Sequence, residues 1–242
     1  MEQLYIIDVF DQDSEELKNL RDCYKEATFS PGVMTITRAS SKIPVKTSVK
    51  NNLEMDDDTP DVKSPMYKHY LTRTPYWKCH AIIEKAVKNS EIYNATLMDS
   101  YTNYIFSRYI EGGYYNTHVD HGKMGTLRTD YSVTIFVNDP EDYDGGELCI
   151  DIGSEELKYK LKAGQAIVYP TGLKHHVNEV TRGQRDVCVF WIKSAILDET
   201  IRGIYRSIWT IHNKYLSEPD ALQRISDECF ALEHQIVRKF AN

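Results

Sequence analysis

The chain has 242 residues, of which 41% are hydrophobic and 27% charged, with a formal net charge of −7. That length buries a substantial core without staples, and the composition excludes the disordered and fibrous classes. The acidic balance argues against a surface built to neutralise phosphates, so no nucleic-acid partner is expected.

The five cysteines, Cys23, Cys79, Cys149, Cys188 and Cys229, are odd in number and form no CxxC pair, and they read as reduced core thiols. The N-terminus MEQLYIIDVFDQ has no basic start followed by a long apolar run. No window approaches the roughly 18 uncharged apolar residues of a membrane span. A cytoplasmic location with no membrane partner is therefore the expectation.

Residues 4–10, LYIIDVF, predict a short buried strand. Ser14 then caps a helix in which Leu17, Leu20 and Tyr24 share a face. Residues 38–65 are polar and broken by prolines, with an acidic run at Asp56–Asp58. A connection of that length predicts a lid-like segment; the plainer alternative is a surface excursion with a solvated acidic run. A second helix is expected over Tyr76–Lys88.

From about residue 96 the hydrophobic period changes to two. Strands are expected at Tyr104–Ile110, Tyr131–Asn138, Glu147–Ile152, Gln165–Tyr169 and Val187–Lys193. Short strands at this density predict a mainly β fold with flanking helices (α+β), a sandwich or jelly roll rather than a parallel sheet. Two helical stripes close the chain: Ile201, Ile204, Ile208, Ile211 and Tyr215, then Leu222, Ile225, Cys229, Leu232 and Ile236. The expected organisation is one domain over 1–194 and a helical hairpin over 195–242, packed on that domain or on a second subunit of a homodimer.

In the segment YYNTHVDHG, His118 and Asp120 are two apart, so in extended chain both point to the same side. An imidazole and a carboxylate alone hold a divalent ion weakly, and a third ligand must come from elsewhere. YPTGLKHHVNEVTRGQRDVCVFWIKS supplies His175 and His176 after a Pro/Gly turn, and only one of them can face inward with the first pair. Two imidazoles and one carboxylate leave open positions on an octahedral ion, the arrangement of non-haem Fe(II) oxygenases. If the co-substrate is 2-oxoglutarate, its far carboxylate needs a buried cation, and a guanidinium offers two parallel hydrogen bonds. Arg185, ten residues after His175 and at the start of an apolar strand, is the candidate; Arg182 in the TRG turn is expected to be solvated.

Several blocks together resemble the PKHD-type hydroxylases, within the prolyl-4-hydroxylase-like Fe(II)- and 2-oxoglutarate-dependent dioxygenases. They are VKNNLEM at 49–55, RYIEGGYYNTHVD at 108–120, RTDYSVTIFVNDPEDYDGGEL at 128–148 and YPTGLKHHVNEVTRGQRDVCVFWIKS at 169–194. The resemblance implies a double-stranded β-helix, the jelly roll. It implies Fe(II) held by His118, Asp120 and His175, selecting His175 over His176. Arg185 is then the partner of the distal carboxylate, and Tyr109 a strand tyrosine facing the co-substrate. Implied with them are dioxygen, ascorbate as reductant, and hydroxylation of a C–H bond of an amino acid, peptidyl residue or small metabolite, with release of succinate and CO2. Asp120 fills the position that a halogenating relative leaves vacant for chloride.

The chain departs from the family pattern in its first forty residues, in the stretch before VKNNLEM, and at His121, where a small amide is more usual. His121 is a substrate contact or an idle loop residue, and His176 is structural. Asn51 and Asn52 line the entrance or cap a turn, and Tyr114 and Tyr115 serve packing. Two other classes fit the triad: a zinc hydrolase or lyase, and a non-catalytic module sensing metal or 2-oxoglutarate. Arg185 speaks against the first and the intact triad against the second. The net negative charge and the lid-like segment favour a small or basic substrate, and an open groove rather than a closed pocket beneath that segment would count against that preference.

Overall fold

Period-two alternation folds the chain into two antiparallel sheets, in a computed structural model that describes residues 4–32, 49–57, 74–215 and 221–240. The larger sheet runs in the order β1 (Tyr5–Asp8), β14 (Gln165–Pro170), β10 (Tyr131–Phe136), β16 (Val180–Ser194), β6 (Ile105–Ile110), β4 (Leu53–Met55) and β2 (Phe29–Pro31). Two further strands, β5 (Met98–Tyr101) and β11 (Tyr143–Gly145), pair with β16. The smaller sheet runs β13 (Glu156–Tyr159), β12 (Leu148–Asp151), β15 (His175–Val177), β7 (Tyr114–His118) and β3 (Lys50–Asn51). A short ribbon pairs β8 (Lys123–Met124) with β9 (Leu127–Arg128).

The larger sheet is buried on both faces, so β10 reads as one unbroken buried run. Its odd positions, Tyr131, Val133 and Ile135, enter a core shared with α1 (Glu15–Glu26), α2 (Pro75–Asn89) and α3 (Glu91–Thr96). On the other side, Phe136 joins Ile167, Tyr169 and Val187 in a second core, closed by Leu148, Ile150 and Val177 of the smaller sheet. Each fully buried aliphatic or phenyl side chain in these cores contributes roughly 1.5–3 kcal/mol by leaving water.

Helix α1 begins where expected: the Ser14 hydroxyl accepts from the Leu17 amide, and Leu17, Leu20 and Tyr24 are buried. Helix α2 buries Tyr76, Cys79, Ile83 and Val87 beside it. Of the expected lid-like segment only residues 49–57 fall within the described part; 38–48 and 58–65 lie outside it.

Two expectations change. The strand expected at Val187–Lys193 is the apolar end of β16, which starts at Val180. The TRG segment is therefore strand rather than turn, pairing with β11 through Asp144↔Arg182 and Tyr143↔Gly183. Its polar residues hid it: Arg182 is exposed and ion-paired to Asp144 at 2.6 Å. Gly183 is needed there because its φ is +76° and a Cβ would collide with the Asp142 carbonyl.

The C-terminal stripes also differ. Helix α4 (Glu199–Tyr215) is attached through Arg202, Tyr205 and Arg206, with the Tyr205 hydroxyl donating to the Asn94 carbonyl and the Arg206 guanidinium 3.4 Å from the Tyr5 ring centroid. Helix α5 (Ala221–Phe240) touches α4 at His212 and Ser226, while Ile204, Ile225 and Leu232 of the expected stripes are exposed. Ile211, Tyr215 and Leu222 are not among the described side chains.

Asp130 joins these layers. Its carboxylate takes a bidentate pair from Arg128, a contact from Arg202 at 3.1 Å and the Ser194 amide at 2.8 Å. Removing one partner of a buried charge network strands the others. Asp130→Ala should lower unfolding stability by about 3–5 kcal/mol, read as a shifted urea midpoint at unchanged slope.

Candidate functional site

His118 ends β7 and His175 begins β15, and the two are direct cross-strand partners. Their ring centroids lie 4.2 Å apart, in a cavity between the two sheets. Asp120 lies two residues past the end of β7, so the loop, not the strand, delivers its side chain. It nonetheless converges as expected: Asp120 Oδ1 is 3.6 Å from His118 Nε2, and Oδ2 is 3.6 Å from His175 Nε2. His176, one residue on, faces the other side of the smaller sheet.

Both imidazoles are oriented by main chain. His118 Nδ1 lies 2.8 Å from the Asn116 carbonyl and His175 Nδ1 lies 3.0 Å from the Leu173 carbonyl. A carbonyl only accepts, so each Nδ1 carries the proton and each Nε2 turns a lone pair inward. Burial pushes the His175 imidazole below its ordinary value, against the pull of Asp120, which keeps it neutral. Burial pushes the Asp120 carboxyl up; the donors Trp191 and Ser132, together with any positive charge on the His118 and His175 rings, oppose it and hold the group below its ordinary value. Those two donors lie at 2.8 Å and 2.7 Å and both use Oδ2, leaving Oδ1 without a side-chain donor. The donor set, two nitrogens and one anionic oxygen within 4.8 Å of one another, fits a divalent ion.

Arg185 lies deeper in the same cavity and is only 1% exposed. Among the described residues it has no carboxylate partner, and its Nε has no hydrogen-bond acceptor. Its guanidinium is held against rings, 5.0 Å from the Tyr109 centroid and 5.3 Å from that of Phe136. Tyr109 is its cross-strand partner, and burial raises that hydroxyl to about 12. The buried Tyr143 hydroxyl stands against the same guanidinium: burial raises it, and the charge and hydrogen bonding of Arg185 oppose that rise. Gly146, with φ of +66°, makes room here, since a Cβ would stand 3.1 Å from Arg185 Cδ and 2.9 Å from Val180. A buried, unpaired guanidinium is costly unless an anion joins it, and the surroundings fit the carboxylate of a keto diacid.

Several contributors were not singled out from sequence. Ser132 and Trp191 orient Asp120, yet as a serine and a tryptophan in strands they carry no separate signal. Tyr115 was assigned to packing, but it stacks on His118 at 3.8 Å between centroids and lines the cavity. Lys50 and Glu54 form a buried ion pair at 2.7 Å in the cavity wall. Asn52 lines the cavity too, whereas Asn51 donates to the Gly112 carbonyl, as a turn amide would. His121 is exposed, and its carbonyl accepts from the Thr129 hydroxyl. With the Thr129 amide donating to the Gly122 carbonyl at 3.2 Å, the RTD segment anchors the loop that leaves Asp120.

Comparison with known proteins agrees with this geometry. Residues 104–193 match the model of the 2OG-Fe(II) oxygenase superfamily. A PKHD-type hydroxylase of Acaryochloris marina is 33% identical over 209 residues, covering 83% of this chain and 86% of the relative. One from Rippkaea orientalis is 35% identical over 214 residues, covering 84% and 87%. Among solved structures, a prolyl hydroxylase from Trichoplax adhaerens, in complex with a hypoxia inducible factor oxygen degradation domain peptide fragment, superposes with a TM-score of 0.51 at 15% identity, over 78% of this chain and 82% of that one. With relatives above 30% identity along most of both chains, and a cavity that joins an N,N,O ligand set to a buried unpaired arginine, the chain belongs to the PKHD-type hydroxylases, Fe(II)- and 2-oxoglutarate-dependent dioxygenases that consume O2.

Proposed function

We propose that His118, Asp120 and His175 hold the Fe(II) of this hydroxylase and that Arg185, with Tyr109 packed beside it, receives the far carboxylate of 2-oxoglutarate. The observation that carries this reading is the buried, unpaired Arg185 beneath an N,N,O ligand set in one cavity. When bound, iron and 2-oxoglutarate supply the oxidising chemistry, with hydroxylation of a substrate C–H bond and release of succinate and CO2. The protein's part is orientation and exclusion of water. Trp191 and Ser132 keep the Asp120 carboxylate turned, the main chain fixes both imidazole tautomers, and Tyr109 and Phe136 wall the guanidinium from solvent. A zinc hydrolase has no use for Arg185, and that reading is not favoured.

The substrate reading rests on the groove next to the cavity. Among the described residues it shares Glu54, Ile105 and Trp191 with the cavity. Tyr76, Tyr104 and Phe106 line it together with Asp56 and Asp57. Its aromatic and acidic walls support a peptidyl substrate with basic flanking residues, and the peptide held by the Trichoplax adhaerens prolyl hydroxylase is in keeping with this. The two facing antiparallel sheets support the double-stranded β-helix, with 1–194 as the dioxygenase domain and 195–242 as a helical hairpin on its flank. Exposed Ile204, Ile225, Phe230 and Leu232 support that hairpin as a homodimer surface, and five unbridged cysteines support a cytoplasmic location.

Purified protein given Fe(II), ascorbate and 2-oxoglutarate should form succinate and take up oxygen only when iron and 2-oxoglutarate are both present, faster with basic than with acidic peptide pools, and not at all as His175→Ala. Arg185→Leu should raise the KM for 2-oxoglutarate about 100-fold, from two charge-assisted hydrogen bonds at about 1.5 kcal/mol each, while iron binding measured by chelator competition stays within about twofold. Gly146→Ala, which crowds the same guanidinium, should raise that KM about tenfold in the same assay; an unchanged KM in both variants would mean that Arg185 is not the carboxylate's partner.

A further inference from the structure

The outer face of the smaller sheet, behind the iron site, carries a second convergence of ligand atoms. Cys149 of β12 and His176 of β15 are direct cross-strand partners, and Glu156 of β13 lies diagonally across the neighbouring ladder. The Cys149 sulfur, a Glu156 oxygen and a His176 ring nitrogen all lie within 4.8 Å of one another. Because His175 and His176 are adjacent in one strand, one imidazole serves the cavity and the next serves this face.

The tautomer of His176 is fixed by a chain of hydrogen bonds. The Asn178 amide nitrogen donates to Glu147 Oε2 at 3.1 Å, which turns its Oδ1 toward His176. That oxygen lies 3.1 Å from His176 Nε2, and since it can only accept, Nε2 carries the proton. In the neutral ring Nδ1 then points a lone pair at the Glu156 carboxylate, 3.7 Å away. Two lone pairs facing each other at that distance repel unless a proton or a cation lies between them. The same separation suits two ligands sharing one ion, since bonds of about 2.0–2.3 Å in a tetrahedron put donor atoms roughly 3.3–3.7 Å apart. A ligating histidine whose other nitrogen is held by an amide oxygen is also the usual outer arrangement of a metal site.

We propose that Cys149, Glu156 and His176 form a second metal site, selective for a borderline-soft divalent ion of the zinc class and independent of the iron site. Thiolate, carboxylate and neutral imidazole would leave a bound Zn2+ with no net charge and one position for water. The site joins β13, β12 and β15, so occupancy would brace the strand that carries His175. The thiol in its metal-free form is pushed up to about 11 by burial, so the metal must displace its proton.

Cobalt tests this, because only a sulfur ligand gives a thiolate-to-metal charge-transfer band in the near ultraviolet, and the iron ligands His118, Asp120 and His175 contain none. Wild-type protein titrated anaerobically with Co2+ should develop that band, saturating by two equivalents per chain because His118, Asp120 and His175 also take up Co2+, and Zn2+ should abolish it. Cys149→Ser should lose the band. Asn178→Ala, which frees the His176 tautomer, and Glu156→Gln, at an exposed position, should each bind Co2+ about 10–100-fold more weakly, and both remain informative if Cys149→Ser fails to fold. No band in wild type would mean a plain His176–Glu156 ion pair and would overturn the proposal; so would a band retained in Cys149→Ser, or affinities unchanged in both other variants.

Discussion

Everything in this molecule hangs on β10 and the apolar half of β16, from Arg185 on, being buried on both faces while still alternating side chains. One parity of each strand, such as Val133 and Ile135 or Cys188 and Phe190, packs under the helices. The other parity turns Arg185, Val189, Trp191 and Thr134 into the cavity. A shift of one residue in either register would send the guanidinium and the indole into the helical core, so the hydrophobic packing of one face sets the polar geometry of the other. Site precision is therefore inherited from core packing, and loops are needed only to bring in Asp120.

Three buried charged groups are handled in three ways. Asp130 is matched by two arginines and a backbone amide and serves as a joint between strands and the C-terminal helix. Asp120 is compensated by two neutral donors, the Ser132 hydroxyl and the Trp191 indole. Arg185 has only aromatic walls. Desolvating an ion costs several kcal/mol even after relaxation. Asp130 and Arg185 are both almost fully enclosed, so burial alone does not tell them apart; the difference is that Arg185 lines a cavity beside the His118, Asp120 and His175 cluster.

Much of this was legible in the chain. The HxD spacing, the distal histidine after a Pro/Gly turn and the arginine ten residues on are local patterns, and local alternation places their side chains. The strands Ile105–Ile110, Tyr131–Phe136, Leu148–Asp151 and Gln165–Pro170 were legible for the same reason, as was helix Glu15–Glu26 from its serine cap and buried stripe. The polar half of β16 was not, because TRGQR owes its extended form to pairing with β11 and to Gly183 fitting against the Asp142 carbonyl. Nor were the C-terminal contacts, where Arg202, Tyr205 and Arg206 attach the helix while Ile204, Ile225 and Leu232 are exposed. Arginine can pack its stem and plane on rings, which no hydrophobic period registers.

By itself, then, the sequence determined the types of the candidate residues, their order along the chain, and that only one of His175 and His176 could face inward, because alternation is a property of two or three residues. Only the tertiary structure decided that His118 and His175 are direct partners, that Trp191 and Ser132 hold Asp120 from another sheet, and that nothing among the described residues neutralises Arg185. It also decided that His176 meets Cys149 and Glu156 on the reverse face. These are relations between segments tens of residues apart, set by sheet order and register, and no short-range pattern encodes them.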